Sequence, residues 1–291
     1  QAYYNLAVLL KETGQVMEAK KYSKKASSLE PNNVDVMNNL AIIYFLQNKI
    51  QKAFNLLKKA LTIKPQESFL HSNKNYYLNF LDSYSHEIIF KEHFEFNNEF
   101  GNFNKHSNSK RSIKKNDHEK INIGYVSGDF KQHSVAYFFE PLLKNHNRRK
   151  FNIFCYSNNS VTDDTTHRLM SYAKKWRHIY DKTDEEVYKI IQKDKINILI
   201  DLSGHTRGNR LVVFSKKPAP IQITWLGYPN TTGLTSIDYR FTDKIADPVG
   251  KTEKYHSEIL YRLPNGFLCF MGNENSLIKK EIPLTRNKFV T

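Results

Sequence analysis

Small and apolar residues recur at a fixed interval in the first part of the chain. Leu6 and Leu40, Ala7 and Ala41, Leu10 and Tyr44, Ala19 and Ala53, Ala26 and Ala60, and Pro31 and Pro65 each lie 34 residues apart. Within each unit the spacing is helical, so the pattern predicts two helix–turn–helix hairpins over residues 1–66. The alanines let paired helices approach closely, while Leu6, Leu10 and their partners fill the seam. Gly14 and Asn48 fall at the turns, where a left-handed backbone is tolerated. Pro31 and Pro65 stop the second helix of each hairpin. From Lys120 the texture changes to short apolar runs. Strands are predicted over Ile121–Ser127, Phe151–Ser157, Ile196–Leu202, Ile221–Leu226 and Tyr239–Thr242, with a weaker candidate at Trp176–Tyr180. Helices are predicted over Val135–Asn145, Asp164–Lys174, Asp184–Lys193 and Arg207–Ser215. That alternation means a parallel sheet covered on both faces.

The repeat interval is the tetratricopeptide period, and stacked hairpins of that kind offer a groove to a protein or peptide. Two repeats are too few to stand alone, so more are expected before Gln1, or the array docks on the segment C-terminal to it. Between the two patterns, aromatic residues crowd residues 69–100. Ser85 is a candidate N-cap there, with Glu87 in the first turn. One or two helices are expected, packing the solenoid against the next domain. Residues 105–120 are basic and rich in Asn, Ser and His, which reads as a solvated linker. The expected division is therefore two repeats over 1–66, a helical connector and polar basic linker over 67–118, and an α/β lobe over 119–291.

Composition alters this picture little. Hydrophobic residues make up 40% of the 291 residues, enough for real cores. No apolar run approaches the 18 or so residues needed to span a membrane. Cys155 and Cys269 lie far apart without CxxC spacing, which argues against zinc and disulfides and fits the cytoplasm. The formal charge of +15 invites a nucleic-acid reading. Its spread along the chain, with Lys dominant over Arg, favours compositional bias instead. Gln1 sits inside a repeat and Lys288–Thr291 looks like the start of a strand, so a longer protein is expected.

Ligands of parallel sheets collect beyond the carboxyl ends of the strands. The loops expected there are Gly128–His133, Asn158–Ser160, Ser203–Arg210 and Gly227–Gly233. They carry glycines, hydroxyls, two histidines and two arginines, a plausible polar cleft. The sequence holds no GxGxxG after the first strand, no GxxxxGK[ST] loop, no HExxH and no GxSxG.

Residues 123–133 (IGYVSGDFKQH), 201–211 (DLSGHTRGNRL) and 217–233 (KPAPIQITWLGYPNTTG) resemble, in order and spacing, the catalytic region of the protein O-GlcNAc transferases. Asp238–Tyr239, Thr242–Asp243, Arg262–Pro264 and Phe267–Phe270 continue the resemblance. Tetratricopeptide repeats precede this region in that family. The bacterial branch is the more similar, since His205 stands where the animal enzymes carry an aromatic residue. The resemblance implies the first Rossmann-like lobe of a two-lobed GT-B-type glycosyltransferase. The second lobe, which carries most nucleotide contacts, would begin near Lys288.

The implied reaction moves GlcNAc from UDP-GlcNAc to a Ser or Thr hydroxyl of a protein, with inversion and with no metal or cofactor. The hydroxyl must lose a proton, the leaving diphosphate must be stabilised and water must be excluded. His133 matches a family active-site histidine and directly precedes a predicted helix. A helix N-terminus favours a neutral imidazole able to accept a proton, so His133 is the candidate base; a histidine that only caps that helix or hydrogen-bonds the donor sugar is the alternative. Asp129 could orient His133 or pin the loop. His205, Thr206 and Arg207 are expected on the cleft, with Arg207 facing the diphosphate or an acidic acceptor. Tyr228, Pro229, Thr231 and Thr232 are expected to line the sugar or acceptor pocket. The expected partners are an acceptor protein in the repeat groove and a nucleotide sugar, with no membrane. SPINDLY-type relatives, which are protein O-fucosyltransferases using GDP-fucose, share the architecture. A non-catalytic repeat scaffold is the third reading.

Overall fold

The computed structural model describes residues 1–101, 120–272 and 281–289. Helices α1 (Ala2–Glu12) and α2 (Val16–Leu29) form one hairpin, and α3 (Val34–Leu46) and α4 (Ile50–Ile63) form the next. Gly14 and Asn48 take φ of 78° and 55° at the two turns, as the pattern requires. Ala7, Ala19, Ala41, Ala53 and Ala60 are fully buried between helices. Leu6 departs from the expected seam: it is 37% exposed, against 6% for Leu40. The reason is stacking. Helix α3 packs against α1, α2 and α4, whereas the main packing of α1 is on α2.

The connector proves to be a third hairpin. Helix α5 (Ser68–Leu78) starts 34 residues after α3 and packs on α4. Helix α6 (His86–Phe100) is capped by Ser85, whose side chain accepts from the Ile88 N–H. A buried ion pair, Lys74 to Glu92 at 2.6 Å, ties α5 to α6. The basic stretch expected as a linker lies outside the described residues, apart from Lys120.

The second half contains β1 (Ile121–Ser127), α7 (Ser134–Asn145), β2 (Phe151–Ser157), α8 (Asp164–Tyr172), β3 (Lys175–His178) and α9 (Asp184–Lys193). It continues with β4 (Ile198–Asp201), α10 (Leu211–Ser215), β5 (Ile221–Thr224), β6 (Tyr239–Thr242) and β7 (Ile259–Arg262). The strands form one sheet in the order β3-β2-β1-β4-β5-β6-β7, parallel throughout. Strand β7 was not expected: its exposed Ile259 and Tyr261 alternate with less exposed Leu260 and Arg262, a weak apolar signal for an edge. Helix α10 begins at Leu211, four residues later than expected, because Arg207–Arg210 stay in the loop. A short helix α11 (Pro283–Asn287) occupies the region just before the strand expected at Lys288, and residues 290–291 lie outside the described part.

Alternate strand residues go to opposite faces. Val126, Phe154, Tyr156 and Leu199 pack with α9, α10 and the α6 residues Phe96 and Phe100. Tyr125, Ile153, Cys155 and Ile200 pack with α7 and Leu169 of α8. Helix α6 therefore belongs to the sheet's core as much as to the helical array. Strand order reverses at β1 and β4, so a crevice opens beyond their carboxyl ends. Among the described residues, no helix is long and apolar enough to cross a membrane.

Candidate functional site

A cleft of about 1060 Å³ lies at that crevice. One wall comes from α1, α3 and α5, including Asn38, Phe45, Asn73 and Tyr76. The other comes from the loops after β1, β4 and β5, including Asp129, His133, Arg207 and Pro229. The first helix of each hairpin thus faces the carboxyl edge of the sheet.

The loop after β1 is pinned from below. The Ser127 hydroxyl accepts from the Asp129 N–H at 2.9 Å, and Asp163 accepts from the Gln132 N–H at 2.7 Å. Asp163 also caps α8 in a reciprocal box with Thr166, whose hydroxyl donates to the Phe130 carbonyl. This framework delivers His133 to the N-cap of α7. There its Nδ1 accepts from the Val135 N–H at 3.2 Å, while the nearest Asp129 carboxylate oxygen is 3.8 Å away. Burial raises the Asp129 carboxyl above its ordinary value, with the nearby His133 and Lys131 opposing. His133 does cap α7, and its side chain remains 42% exposed on the cleft wall.

His205 and Tyr228 border the cleft but are buried side chains that join the helical array to the lobe. His205 donates from Nε2 to the Thr232 carbonyl at 2.9 Å, and its Nδ1 accepts from the Ser72 hydroxyl at 3.1 Å. The Tyr228 hydroxyl receives the Asn79 amide at 2.7 Å and donates to His93 Nε2 at 2.6 Å. His93 Nδ1 in turn donates to the Ile89 carbonyl. Burial holds the His205 ring well below the usual histidine range and lowers His93 to about 4. Gly204 is required here: with φ of 52°, a Cβ would fall 2.3 Å from the Cβ of Tyr228. Beneath the turn, buried Asp201 accepts from the Ser203 and Gly204 N–H groups and from the Thr224 hydroxyl; burial raises it to about 6.

The remaining expected residues divide. Thr206 lines the cleft, its hydroxyl donating to the Ser203 carbonyl. Arg207 is 90% exposed and reaches Glu12 of α1 at 3.4 Å, bridging lobe and array. Pro229 is exposed on the cleft wall. Thr231 and Thr232 are fully buried and do not line it. Both hydroxyls bind the buried Glu258 carboxylate, which also accepts the Thr232 N–H at 2.8 Å. Their job is to hold the turn after β5.

The glycosyl transferase family 41 model matches residues 87–285. The chain belongs to that family. A tetratricopeptide model matches residues 1–66. The family 41 match begins inside α6, in accord with the packing of that helix in the sheet's core. A rice protein named as a probable UDP-N-acetylglucosamine–peptide N-acetylglucosaminyltransferase SPINDLY is 37% identical over 80% of this chain and 26% of its own length. A tomato protein of the same name is 43% identical over 58% of this chain and 18% of its own. The solved O-GlcNAc transferase of Thermobaculum terrenum (a K341M mutant) superposes with a TM-score of 0.84 at 29% identity. It covers 92% of this chain and 51% of that one. The chain thus spans about a quarter or less of the plant relatives and about half of the bacterial chain.

For this family 41 chain, sequence reasoning overlooked Ser72, Asn75, Asn79, His93, Arg240 and Glu258, all in the joint or under the cleft loops. Buried Arg240 donates to the Tyr228 and Asn230 carbonyls. No local motif marks these residues. One repeat signal was available: Asn5, Asn39 and Asn73 share the 34-residue interval, and Asn73 donates to Asn38 at 2.7 Å on the cleft wall.

Proposed function

We propose that the chain supplies the acceptor-facing half of an inverting protein O-glycosyltransferase, which moves GlcNAc from UDP-GlcNAc to Ser or Thr hydroxyls. One observation carries this reading. The cleft at the sheet's strand-order reversal is walled on its other side by the helical hairpins, so a polypeptide lying along the repeats reaches Asp129 and His133. The names of the rice and tomato relatives supply the donor and acceptor classes. His133, Asp129, Thr206, Arg207 and Pro229 are the residues offered to substrate, while His205, Tyr228, Thr231 and Thr232 act by shaping the loops. The expected compartment is the cytoplasm.

The test is a donor panel on a form extended beyond Thr291. Transfer from UDP-GlcNAc to protein hydroxyls is expected, and residues 1–291 alone should turn over no donor. Transfer from GDP-fucose instead would establish the second reading. Activity with no sugar nucleotide would defeat both.

A further inference from the structure

Glu12, Leu46 and Phe80 stand 34 residues apart, each at or just beyond the C-terminal end of the first helix of its hairpin. All three line the cleft. The position accepts a half-exposed glutamate in the first hairpin, so packing does not dictate an apolar residue there. Yet the next two hairpins carry Leu46, 53% exposed, and Phe80, 47% exposed. Phe80 is not isolated. Its ring centroid lies 5.2 Å from that of Phe45 and 5.3 Å from that of Tyr76, and Phe45 stacks on Tyr77 at 4.3 Å. Tyr76 in turn lies 6.5 Å from Tyr228 of the loop after β5. Phe45, Leu46, Tyr76 and Phe80 thus form an uncharged aromatic shelf that reaches the lobe wall. The charged groups of the helical wall are elsewhere. Lys11 and Glu12 are on α1, engaged by Asn39 and Arg207, and Asp35 is at the opposite end of α3 from Phe45. Scattered exposed apolar residues are ordinary, but a contiguous patch inside a cleft marks a contact surface.

We propose that this shelf is an acceptor subsite: it takes one large apolar side chain, aromatic by preference, from the polypeptide that presents the Ser or Thr hydroxyl. The proposal rests on the glycosyltransferase reading for the hydroxyl, though not for the peptide. Its occupant follows from continuity. The shelf and the loop bearing Asp129 and His133 are two walls of one cleft, so a chain that reaches the loop lies across the shelf. An uncharged shelf selects against an acidic or basic side chain, which would lose its hydration there without gaining a partner. A nucleobase is the other flat group that stacks on such rings, and the test separates the two.

Binding is measured on residues 1–291 by fluorescence anisotropy, with a labelled, uncharged Ser-containing peptide carrying one Phe and with the same peptide carrying Gly in its place. The Phe peptide should bind about tenfold more tightly, the gain expected for burying one such side chain. Phe80→Ser should abolish that preference and Leu46→Ser should reduce it. Should Phe80→Ser not fold, Leu46→Ser decides, and a preference as large as in the parent overturns the proposal. Equal binding of the two peptides, or no binding of either at millimolar concentration, overturns it as well. UDP or GDP binding more tightly than the Phe peptide, and lost in Phe80→Ser, assigns the shelf to a nucleobase instead. In an extended form that transfers sugar, Phe80→Ser should raise KM for the Phe peptide about tenfold and change kcat less than about twofold. A fall in kcat with KM unchanged overturns the subsite. If the extended form uses no sugar nucleotide while residues 1–291 still prefer the Phe peptide, the glycosyltransferase reading fails and the shelf stands as a peptide-binding site.

Discussion

Buried titratable side chains at the joint make the chain's stability depend on pH. His93 titrates at about 4 in the folded chain, against 6.5 for a free histidine, chiefly because burial penalises the charged ring. Between those values the unfolded state binds more protons, so this residue costs stability as pH falls from about 6.5 to about 4. The loss is on the order of 3 kcal/mol across that window. Asp201, raised to about 6, works in the opposite sense. Its folded form holds a proton that the unfolded form has released, so it favours folding as pH falls through 6. The wild-type profile is the difference of the two, and the informative comparison is with His93→Gln, which does not titrate. Urea midpoints of the two proteins should diverge in favour of the variant as pH is lowered from 6.5 to 4.5. A constant gap would refute the assignment. Tyr228→Phe removes the hydroxyl that both His93 and Asn79 use, leaving buried polar atoms unpaired. It should cost about 1–3 kcal/mol in chemical denaturation.

Helix α6 is the element on which the arrangement of the cleft depends. It carries Phe96 and Phe100 into the sheet's core and His93 into the polar joint. Its approach to the loop after β5 depends on Gly233, which has φ of 77°. A Cβ at that position would fall 2.1 Å from the His93 carbonyl oxygen. Gly233→Ala therefore combines a left-handed backbone penalty with a backbone clash. It should destabilise the chain by on the order of 3 kcal/mol. Phe96→Ala should cost about 3–5 kcal/mol through the cavity it leaves. Thermal melts measure both, and a change under about 1 kcal/mol in either would show that α6 is not docked as described. The existence of α6 was readable from Ser85 and Glu87, since capping is a local matter. Its partners were not, because aromatic spacing on a helix gives a buried face without saying what covers it.

Taken whole, the molecule is a helical array whose last hairpin is also a layer of the α/β lobe. Removing residues 1–66 should leave a less stable, association-prone protein, because Leu70 and Tyr77 of α5 lose the core they share with α3 and α4, while α6 keeps its place in the sheet's core. Removing residues 1–101 strips Phe96, Phe100, Asn75, Asn79 and His93 from their partners. It should produce aggregation in size-exclusion chromatography; a monodisperse, cooperatively folded product would contradict the integration described. The sequence by itself determined the two hairpins, the parallel sheet and the loops that gather at its carboxyl edge. Helical and strand periodicities, turn glycines and caps are short-range physics, recorded within a few residues of where they act. Only the tertiary structure decided which loop residues meet the cleft. Tyr228 is fixed by Asn79, 149 positions away, and His205 by Ser72, 133 positions away. Thr231 and Thr232 turn inward to a glutamate 26–27 positions on. Such pairs form because buried polar groups must find partners wherever the folded chain brings them, and no local pattern records that requirement.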